Sequence, residues 1–341
     1  MLSLNYPPHR KTAMRKPPTI NDVAVAAGVS RQTVSNVINS PGIVRPATIT
    51  RVQAVIADLG YRPHASARRL RTRRASTIAV RIDRGSEWLS GTLLDRFLYE
   101  LTYRADKQGL RVMLYTADDP DDEVRVISDL LDGSDVDAFV LTSTFRGDPR
   151  PAWLIDQGAS FVTFGRPWDM PADNSLMWVD VDGRRGTQAA TKYLLASGAR
   201  RVGFLGWPAG SGTGDDRRDG WRQAMLAGGA PEPLLDVAST EDLREGHQAA
   251  RALLGRGAEA IVATSDTLAL AAMMATDGRI PVVGFDNGPM AASMKFSSVD
   301  QCLDLVTDHV LSLLDRDAAG DGPTNYIVEP QLVIRDGRSE P

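Results

Sequence analysis

Short apolar runs alternate with amphipathic stretches of helical length over most of the chain after residue 75. Thr77–Ile82, Ala138–Leu141 and Ala260–Ala263 are runs of the first kind, and Leu93–Lys107 and Gly186–Leu195 are stretches of the second. A chain that alternates strands with helices folds as parallel sheets covered by helices on both faces. The strand–helix units are too numerous for a single sheet, so the pattern predicts two similar α/β lobes.

A purely helical pattern precedes the lobes, between Thr19 and about Tyr61. Apolar residues recur there at helical spacing in three stretches. Gly60 and Pro63 end the third stretch, because glycine favours the end of a helix and proline cannot continue one. We therefore expect three short helices around one small core, separate from the lobes.

The charge of the chain is distributed unevenly. Residues 1–75 carry 13 Lys and Arg and only two Asp, a net charge of +11, whereas the whole chain carries −4 and the rest therefore −15. A basic first part on an acidic second part indicates that the first part meets a polyanion. A basic segment that is merely soluble is the alternative reading of this feature.

The segment Thr19–Asn39 has the pattern of a helix-turn-helix. Asn21 or Asp22 can cap its first helix, Gly28 permits a tight turn, and Ser30 can cap the second helix. The polar residues on the outer face of that second helix are Arg31, Gln32, Ser35 and Asn36. Arginine suits guanine edges, and glutamine or asparagine suits adenine edges, in the major groove of DNA. These four residues are the candidate base readers, although a helical hairpin with an ordinary polar surface would show the same pattern.

The chain resembles the LacI family of bacterial transcription regulators over nearly its whole length. The matching stretches are Thr19–Asn39, Leu59–Pro63, His64–Leu70, Val179–Gly183, Arg217–Trp221 and Val282–Asn287. The resemblance implies a small all-α helix-turn-helix head followed by a two-lobed α/β body like that of periplasmic binding proteins, with two Rossmann-like parallel-sheet subdomains. It also places Arg31, Gln32 and Asn36 at the main base-reading positions of the family.

The segment 64–74 matches the hinge helix of the family. The resemblance implies that Leu70 enters the minor groove at the centre of the operator, a known way to kink DNA. Arg68 and Arg69, with the other arginines of the segment, are expected to contact phosphates, which would set affinity and salt dependence and not sequence preference.

The resemblance places an effector in the cleft between the lobes. Arg217 and Asp286 match the arginine and the aspartate that contact effectors in the family, and together they would suit vicinal hydroxyls of a sugar. Ser265 and Arg166 stand where a well-known sugar-binding relative has an asparagine and an acidic residue, which suggests a different ligand. Trp88 is a candidate aromatic platform for a sugar ring, as are Trp168 and Trp207 at other predicted strand ends. Ordinary packing explains each of the three equally well.

These observations divide the chain into four parts. They are a disordered extension at 1–18, a helix-turn-helix domain at 19–63, a hinge at 64–75, and an effector-binding and dimerisation domain at 76–341. Within the last part, the first lobe is predicted at about 76–165 with 292–322, and the second at about 166–291 with 323–336. Either Met1 or Met14 can be the true start.

Other classes of protein find no support in the sequence. No apolar run is long enough to span a membrane, and no secretion signal is present, so we expect a cytoplasmic protein with no membrane partner. The single cysteine, Cys302, fits a reducing compartment. No phosphate loop, nucleophile elbow or metal-ligand spacing occurs, so we expect no cofactor, no metal and no enzyme activity.

The sequence thus predicts a homodimeric regulator, without a leucine heptad tail for tetramers, that binds double-stranded operator DNA and responds to a small molecule. A mono- or oligosaccharide is the expected effector, and a repressor of carbohydrate-use genes the expected role. The alternatives are a sugar-binding protein without a DNA role, and a regulator that responds to a nucleobase or to a phosphoprotein corepressor. The operator sequence, and whether the effector induces or co-represses, are not readable from the sequence.

Overall fold

The computed structural model describes residues 18–61, 77–82, 93–133, 135–168, 176–230, 232–315 and 323–335. Contacts divide the chain into two units, Met1–Arg73 and Arg74–Pro341. The predicted extension up to residue 17 and the predicted hinge at 64–75 lie outside the described residues.

The first unit contains the three predicted helices, α1 (Ile20–Ala27), α2 (Arg31–Asn39) and α3 (Pro46–Leu59). One fully buried valine from each helix contributes to their common core: Val23, Val34 and Val52. Gly60 ends α3 in the left-handed conformation with φ 64°, as predicted. Each helix thus contributes one apolar face to the core and leaves its polar face outside.

The cap of α1 differs from the prediction. Thr19, and not Asn21 or Asp22, precedes the helix, and Asp22 returns a hydrogen bond to it, since the Thr19 backbone N–H donates to Asp22 Oδ2 at 2.7 Å. This reciprocal capping box requires the acid at the third helical position, which is the position of Asp22. Gly28 follows α1 with φ 63°, and Ser30 caps α2, both as predicted.

The second unit contains two six-stranded sheets. The first sheet has the order β11-β5-β4-β3-β1-β2, all parallel. Its strands are β1 (Thr77–Arg81), β2 (Arg111–Tyr115), β3 (Ala138–Leu141), β4 (Phe161–Phe164), β5 (Trp178–Val181) and β11 (Asn325–Val328). Its helices are α4 (Leu93–Lys107), α5 (Pro120–Asp132), α6 (Pro149–Asp156) and α12 (Leu303–Leu314). Buried side chains of α4 and α12 share one core cluster, and side chains of α5 and α6 contribute to another.

The second sheet has the order β12-β10-β9-β8-β6-β7, parallel except for β12, which runs antiparallel to β10. Its strands are β6 (Val202–Gly206), β7 (Asp236–Ala238), β8 (Ala260–Ala263), β9 (Val282–Phe285), β10 (Ser297–Asp300) and β12 (Gln331–Val333). Its helices are α7 (Gly183–Ala196), α8 (Gly212–Ala227), α9 (Leu243–Gly255), α10 (Asp266–Thr276) and α11 (Pro289–Met294). Each sheet with its helices is one lobe.

The chain passes between the lobes after β5, after β10 and between β11 and β12. The predicted lobe limits differ at each of these places: β5 belongs to the first lobe and not to the second, β10 to the second and not to the first, and β11 to the first. β5 belongs to the first lobe because it pairs with β4 of that sheet, through Trp178 and Val179, and it in turn pairs with β11 at the edge. The last segment contributes β11 to the first sheet and β12 to the second.

The glycine-rich segment 210–214 leads into the helix α8, which begins at Gly212. Ser211 caps α8, because its Oγ accepts a hydrogen bond from the Gly214 backbone N–H at 3.1 Å. The glycines allow close packing at this point, since a Cβ on Gly212 would lie 2.1 Å from the ring of Trp168.

Candidate DNA-reading helix and effector cleft

The first turn of α2 is held by Ser30 and presents polar side chains. Ser30 Oγ accepts a hydrogen bond from the backbone N–H of Thr33 at 3.1 Å. Arg31 and Gln32 are exposed, whereas Val34 is fully buried. A capped helix whose first turn is polar and exposed is the arrangement that recognition in the major groove requires.

Gln32 and Asn36 lie one helical turn apart and their side chains are hydrogen bonded. Gln32 Nε2 donates to Asn36 Oδ1 at 3.1 Å, and Asn36 is half-buried, as is Ser35. Each amide group carries two donor hydrogens and an acceptor oxygen. Both side chains therefore keep further hydrogen-bonding capacity for base edges while the bond between them orients the pair.

Four of the predicted site residues lie outside the described residues. They are Leu70, Arg68 and Arg69 of the predicted hinge, and Trp88. Their roles stay predictions.

The other predicted effector residues lie at or after the carboxyl ends of strands. Arg166 follows β4 of the first lobe, whereas Ser265 follows β8 and Asp286 follows β9 of the second. Arg217 lies in the second turn of α8, the helix that follows β6. Ligands of parallel α/β sheets bind outside the carboxyl ends of the strands, and these residues lie on that side of each lobe.

Arg217 is a buried guanidinium in which, over the described ranges, Nη1 is hydrogen bonded and Nε is not. Its side chain is only 4% exposed, and Nη1 donates to the Thr264 carbonyl oxygen at 2.6 Å. Its Nε has no hydrogen-bond partner within the described part of the chain. The guanidinium lies 3.7 Å from the ring centre of Phe285 and 5.4 Å from that of Trp207. Burial lowers the pKa of Arg217, and Asp286 is the strongest of the carboxylates that oppose this shift.

Asp286 is the acidic counterpart of Arg217. Its Oδ1 accepts a hydrogen bond from Gln301 Nε2 at 2.6 Å, and its backbone oxygen accepts one from Arg96 Nη1 of the first lobe, also at 2.6 Å. Burial raises the pKa of Asp286 to about 8; Arg217 opposes the shift, and Asp266 adds to it. The Arg217 guanidinium stacks on Phe285, the neighbour of Asp286, so the two residues selected from the sequence lie in one buried region of the second lobe.

Arg166 is engaged by two carboxylates. Its Nε lies 2.5 Å from Oδ2 of Asp180, and its Nη2 lies 3.1 Å from Oδ2 of Asp216. Burial works to lower the pKa of Arg166, but the two carboxylates outweigh it, so the pKa is raised. Because Asp216 belongs to α8, this guanidinium joins the first lobe to the second. The predicted role of Arg166 as an effector contact stays untested, and these contacts give it a structural one.

Ser265 is buried and its hydroxyl is used twice. Its Oγ caps α10 by accepting from the Leu268 backbone N–H at 3.2 Å, and it donates to Glu241 Oε1 at 2.5 Å. The other oxygen of Glu241 accepts a hydrogen bond from Trp207 Nε1 at 2.5 Å. Ser265 therefore connects to an aromatic side chain of the cleft through a carboxylate that the sequence analysis did not select.

Trp168 lies beside the start of α8 and near two guanidinium groups. The Arg166 guanidinium is 4.7 Å from its ring centre and that of Arg146 is 6.0 Å away. Its Nε1 is buried and has no hydrogen-bond partner among the residues that the structure describes.

Sequence reasoning missed Asp180, Asp216 and Glu241. Asp180 could have been found, because it interrupts the apolar run Val179–Val181 of a buried strand. Asp216 directly precedes Arg217 in the sequence. Its position next to a predicted effector residue is the signal that could have found it. Glu241 lies in a polar stretch after β7 and carries no distinguishing signal in the sequence.

Comparison with known proteins agrees with these two parts. The family described as bacterial regulatory proteins, lacI family, matches residues 19–64. The family described as periplasmic binding proteins and sugar binding domain of LacI family matches residues 94–312.

Among curated relatives, the HTH-type transcriptional regulator CelR of Thermobifida fusca is 33% identical, over 94% of this chain and 98% of its own. The regulator DegA of Bacillus subtilis is 29% identical over the same shares. A solved complex of CelR with cellobiose is 29% identical and superimposes with a TM-score of 0.68, covering 94% of this chain and all of that one. The lac repressor dimer bound to operator and the anti-inducer ONPF has a TM-score of 0.78 at 23% identity, covering 94% of this chain and 99% of that one, which shows a shared fold.

A helix-turn-helix head followed by a two-lobed sugar-binding type of body defines a DNA-binding transcription regulator. The chain belongs to the LacI family of bacterial regulatory proteins. Its relatives in this comparison are regulators and not enzymes. None of the helices in the described ranges is long and apolar enough to cross a membrane.

Proposed function

We propose that this regulator is a cytoplasmic repressor of carbohydrate-use genes that binds a near-palindromic operator as a homodimer and carries a saccharide effector between its lobes. The observation that carries the effector half of the proposal is the Arg217–Asp286 pair. It combines a buried guanidinium that has an unengaged nitrogen with a carboxylate at a strand end.

The DNA half rests on α2. Its exposed residues Arg31 and Gln32 stand on a helix whose first turn is fixed by the Ser30 cap. Two such heads on a symmetric dimer read two half-sites in opposite directions. Binding of the first head raises the effective concentration of the second, so the dimer binds far more tightly than one head. A near-palindrome is the operator that such a dimer fits.

The choice of a saccharide rests on the chemistry of the cleft and on one relative. Guanidinium and carboxylate groups supply donors and acceptors for neighbouring hydroxyls, and Trp168 and Trp207 supply aromatic faces. The relative CelR has been solved with cellobiose. These points favour a saccharide, and cellobiose is the first one to test.

Control of DNA binding requires that the effector prefer one arrangement of the lobes. The polar contacts between the lobes include the Arg166–Asp216 ion pair and the Arg96 hydrogen bond to the Asp286 backbone oxygen. An effector that touches Asp286 and Arg217 binds beside both of these contacts. It would therefore change the relative free energy of the arrangements and, through the hinge, the spacing of the two heads.

Selection from random duplex DNA tests the proposal directly. The purified full-length protein should enrich a near-palindromic site, and light scattering should give the mass of two chains. Fluorescence anisotropy with that site is then measured in the presence of a panel of mono- and disaccharides that includes cellobiose. One sugar should change the apparent affinity by about 5- to 150-fold, as expected for a coupling of roughly 1–3 kcal/mol. Enrichment of a site whose affinity no sugar changes would refute the saccharide part and leave the DNA part standing.

A further inference from the structure

Glu241 joins three neighbouring strand ends of the second lobe. It follows β7, and its two carboxylate oxygens accept hydrogen bonds from Trp207 Nε1, after β6, and from Ser265 Oγ, after β8. Both distances are 2.5 Å. Because β7, β6 and β8 are adjacent in the sheet, one exposed carboxylate sets the relative positions of three loops at the edge that faces a ligand.

Both the side chain and the backbone of Trp207 are hydrogen bonded. The N–H edge of the ring is bound by Glu241, and the Trp207 backbone oxygen accepts a hydrogen bond from Arg218 Nη2 at 2.8 Å. The first turn of α8 packs against the ring, since a Cβ on Gly214 would lie 3.2 Å from Trp207 Cε3. Without the bond to Glu241, nothing polar would define how the half-buried ring is turned about its side-chain bonds.

We propose that Trp207 is the aromatic face against which a pyranose ring of the effector stacks, and that Glu241 is the positioning residue that fixes this face; the proposal rests on the saccharide effector proposed above. A pyranose presents C–H groups on its faces and hydroxyls around its rim. A tryptophan face suits the first and a carboxylate at the edge of that face suits the second.

The carboxylate can serve the ligand as well as the tryptophan. An ionised carboxylate offers about four acceptor positions, of which Trp207 and Ser265 occupy two. The side chain is exposed, so the remaining positions can accept hydrogen bonds from hydroxyls at the rim of a stacked ring. Trp207 lies 5.4 Å from the Arg217 guanidinium, so the stacked ring would also reach the Arg217–Asp286 pair.

Two substitutions separate the positioning role from a loss of folding. Glu241→Ala removes both hydrogen bonds, whereas Glu241→Gln can restore them, because its amide oxygen accepts from the Trp207 N–H and its amide nitrogen donates to the Ser265 hydroxyl. Glu245→Ala is the matched control, since Glu245 is an exposed glutamate four residues further on that bonds to Thr240 and to neither of these partners. Melting temperatures of all three variants establish that each is folded.

The readouts are the fluorine NMR signal of Trp207 in 5-fluorotryptophan-labelled full-length protein, assigned with Trp207→Phe, and the affinity for cellobiose by calorimetry. If wild type prefers another sugar of the panel, that sugar replaces cellobiose. We expect Glu241→Ala to shift or broaden the Trp207 signal and to weaken binding about tenfold, the size expected for a lost hydrogen bond to a charged group. Glu241→Gln should return both readouts most of the way to wild type, and Glu245→Ala should leave both unchanged.

The outcomes distinguish this inference from the proposal on which it rests. A Trp207 signal that does not respond to Glu241→Ala overturns the positioning role, whatever sugar binds. A signal that moves while the sugar affinity of both Glu241→Ala and Trp207→Phe equals that of wild type overturns the stacking role. Wild-type protein that binds no sugar of the panel removes the saccharide effector itself, and the stacking role with it.

Discussion

Arg166 and Asp216 come from different lobes and form an ion pair, with 3.1 Å between Arg166 Nη2 and Asp216 Oδ2. The same guanidinium binds Asp180 of its own lobe at 2.5 Å, and both carboxylates are buried. Arg184 supports Asp216 from the second lobe, with its Nη2 2.9 Å from Oδ1. The arginine that the sequence placed among the effector contacts is therefore also a tie between the lobes.

Replacement of Arg166 by Gln should destabilise the body. The change removes the ion-pair partner of Asp180 and leaves Asp216 paired with Arg184, and buried carboxylates that lose a partner are costly. Because Arg166 is partly exposed, we expect a loss of about 2 kcal/mol in the free energy of unfolding near pH 7.5, below the value for a fully buried pair. Burial raises the pKa of Asp180, and Arg166 opposes part of this rise. Without Arg166 the pKa of Asp180 should therefore rise further. The loss should therefore shrink as the pH falls and Asp180 takes up a proton.

Urea unfolding followed by circular dichroism at several pH values measures this loss. Arg185→Gln is the control, because Arg185 pairs with Glu329 at a site where both side chains are well exposed, and such pairs contribute at most about 1 kcal/mol. Equal losses in the two variants, or a loss for Arg166→Gln that does not depend on pH, would contradict the role of Arg166 as the cation of a buried cluster.

Asp286 should make both stability and effector binding depend on pH. Its pKa in the folded protein is about 8 because of burial, whereas an unfolded Asp titrates near 4, at about its usual value. Between these values the folded protein holds a proton that the unfolded chain has released, so this group makes stability fall as the pH rises from about 4 to about 8, and contributes no further slope above that. Asp286→Asn should flatten the decline.

The same titration should appear in effector binding. The ionised form of Asp286 is the stronger acceptor for hydroxyl groups, so sugar affinity should rise between pH 7 and about pH 9 in wild type and stay level in Asp286→Asn. Asp277→Asn is the control, since Asp277 is an exposed carboxylate paired with Arg279. Calorimetry over this range that shows the same pH profile for wild type and Asp286→Asn would exclude Asp286 as the titrating contact.

Substitutions of Arg31 and of Arg51 should distinguish the contribution of base contacts to DNA affinity from that of positive charge alone. Arg31→Ala removes an exposed side chain from the first turn of α2 and should weaken binding to the selected operator by roughly 1–3 kcal/mol, with little change on random DNA. Arg51→Ala removes the same charge from the exposed surface of α3 and should weaken both kinds of binding alike. Anisotropy titrations with the selected operator and with a random duplex measure these affinities. If Arg31→Ala lowers specific and random binding equally, Arg31 is not a base reader.

The helices of the head and the alternation of the body could be predicted because they depend on local signals. Gly28, Ser30 and Gly60 act within one turn of their own position, and buried strands such as Ala260–Ala263 are short apolar runs. The lobe limits could not be predicted in the same way. Trp178–Val181 joins the first sheet through its pairing with β4, and β11, which lies far away in the sequence, joins that sheet only through β5.

The site shows the same division between local and distant signals. Arg217 and Asp286 were found through motifs that the family resemblance supplied. The partners of Arg166, by contrast, lie 14 and 50 residues further along the chain, and no pattern in the sequence connects them. Glu241 belongs to the site because Trp207 and Ser265 converge on it, which only the sheet order brings about.

Gly212 of the second lobe contacts Trp168 of the first, so a side chain at position 212 should disturb how the lobes meet. Gly212 begins α8 in the second lobe, and a Cβ there would lie 2.1 Å from Trp168 Cδ2 and 2.3 Å from Cε2 of the first lobe. Alanine is a better helix former than glycine, so Gly212→Ala should not disturb α8 itself. The added methyl group can be accommodated only if Trp168 moves or the lobes separate. We therefore expect an altered Trp168 fluorescence, obtained by difference from Trp168→Phe, and a weaker sugar affinity in a protein that is still folded.

Gly255→Ala provides the control for this change. Gly255 ends α9, and a Cβ there would meet no atom within 4 Å, so the substitution should be neutral or stabilise by roughly 0.4–1 kcal/mol. Overpacking by one methyl group in a rigid contact costs about 1–3 kcal/mol, and the lobes can avoid that cost by opening. If Gly212→Ala matched Gly255→Ala in fluorescence, stability and sugar affinity, the close contact of Trp168 with α8 would not constrain the arrangement of the lobes.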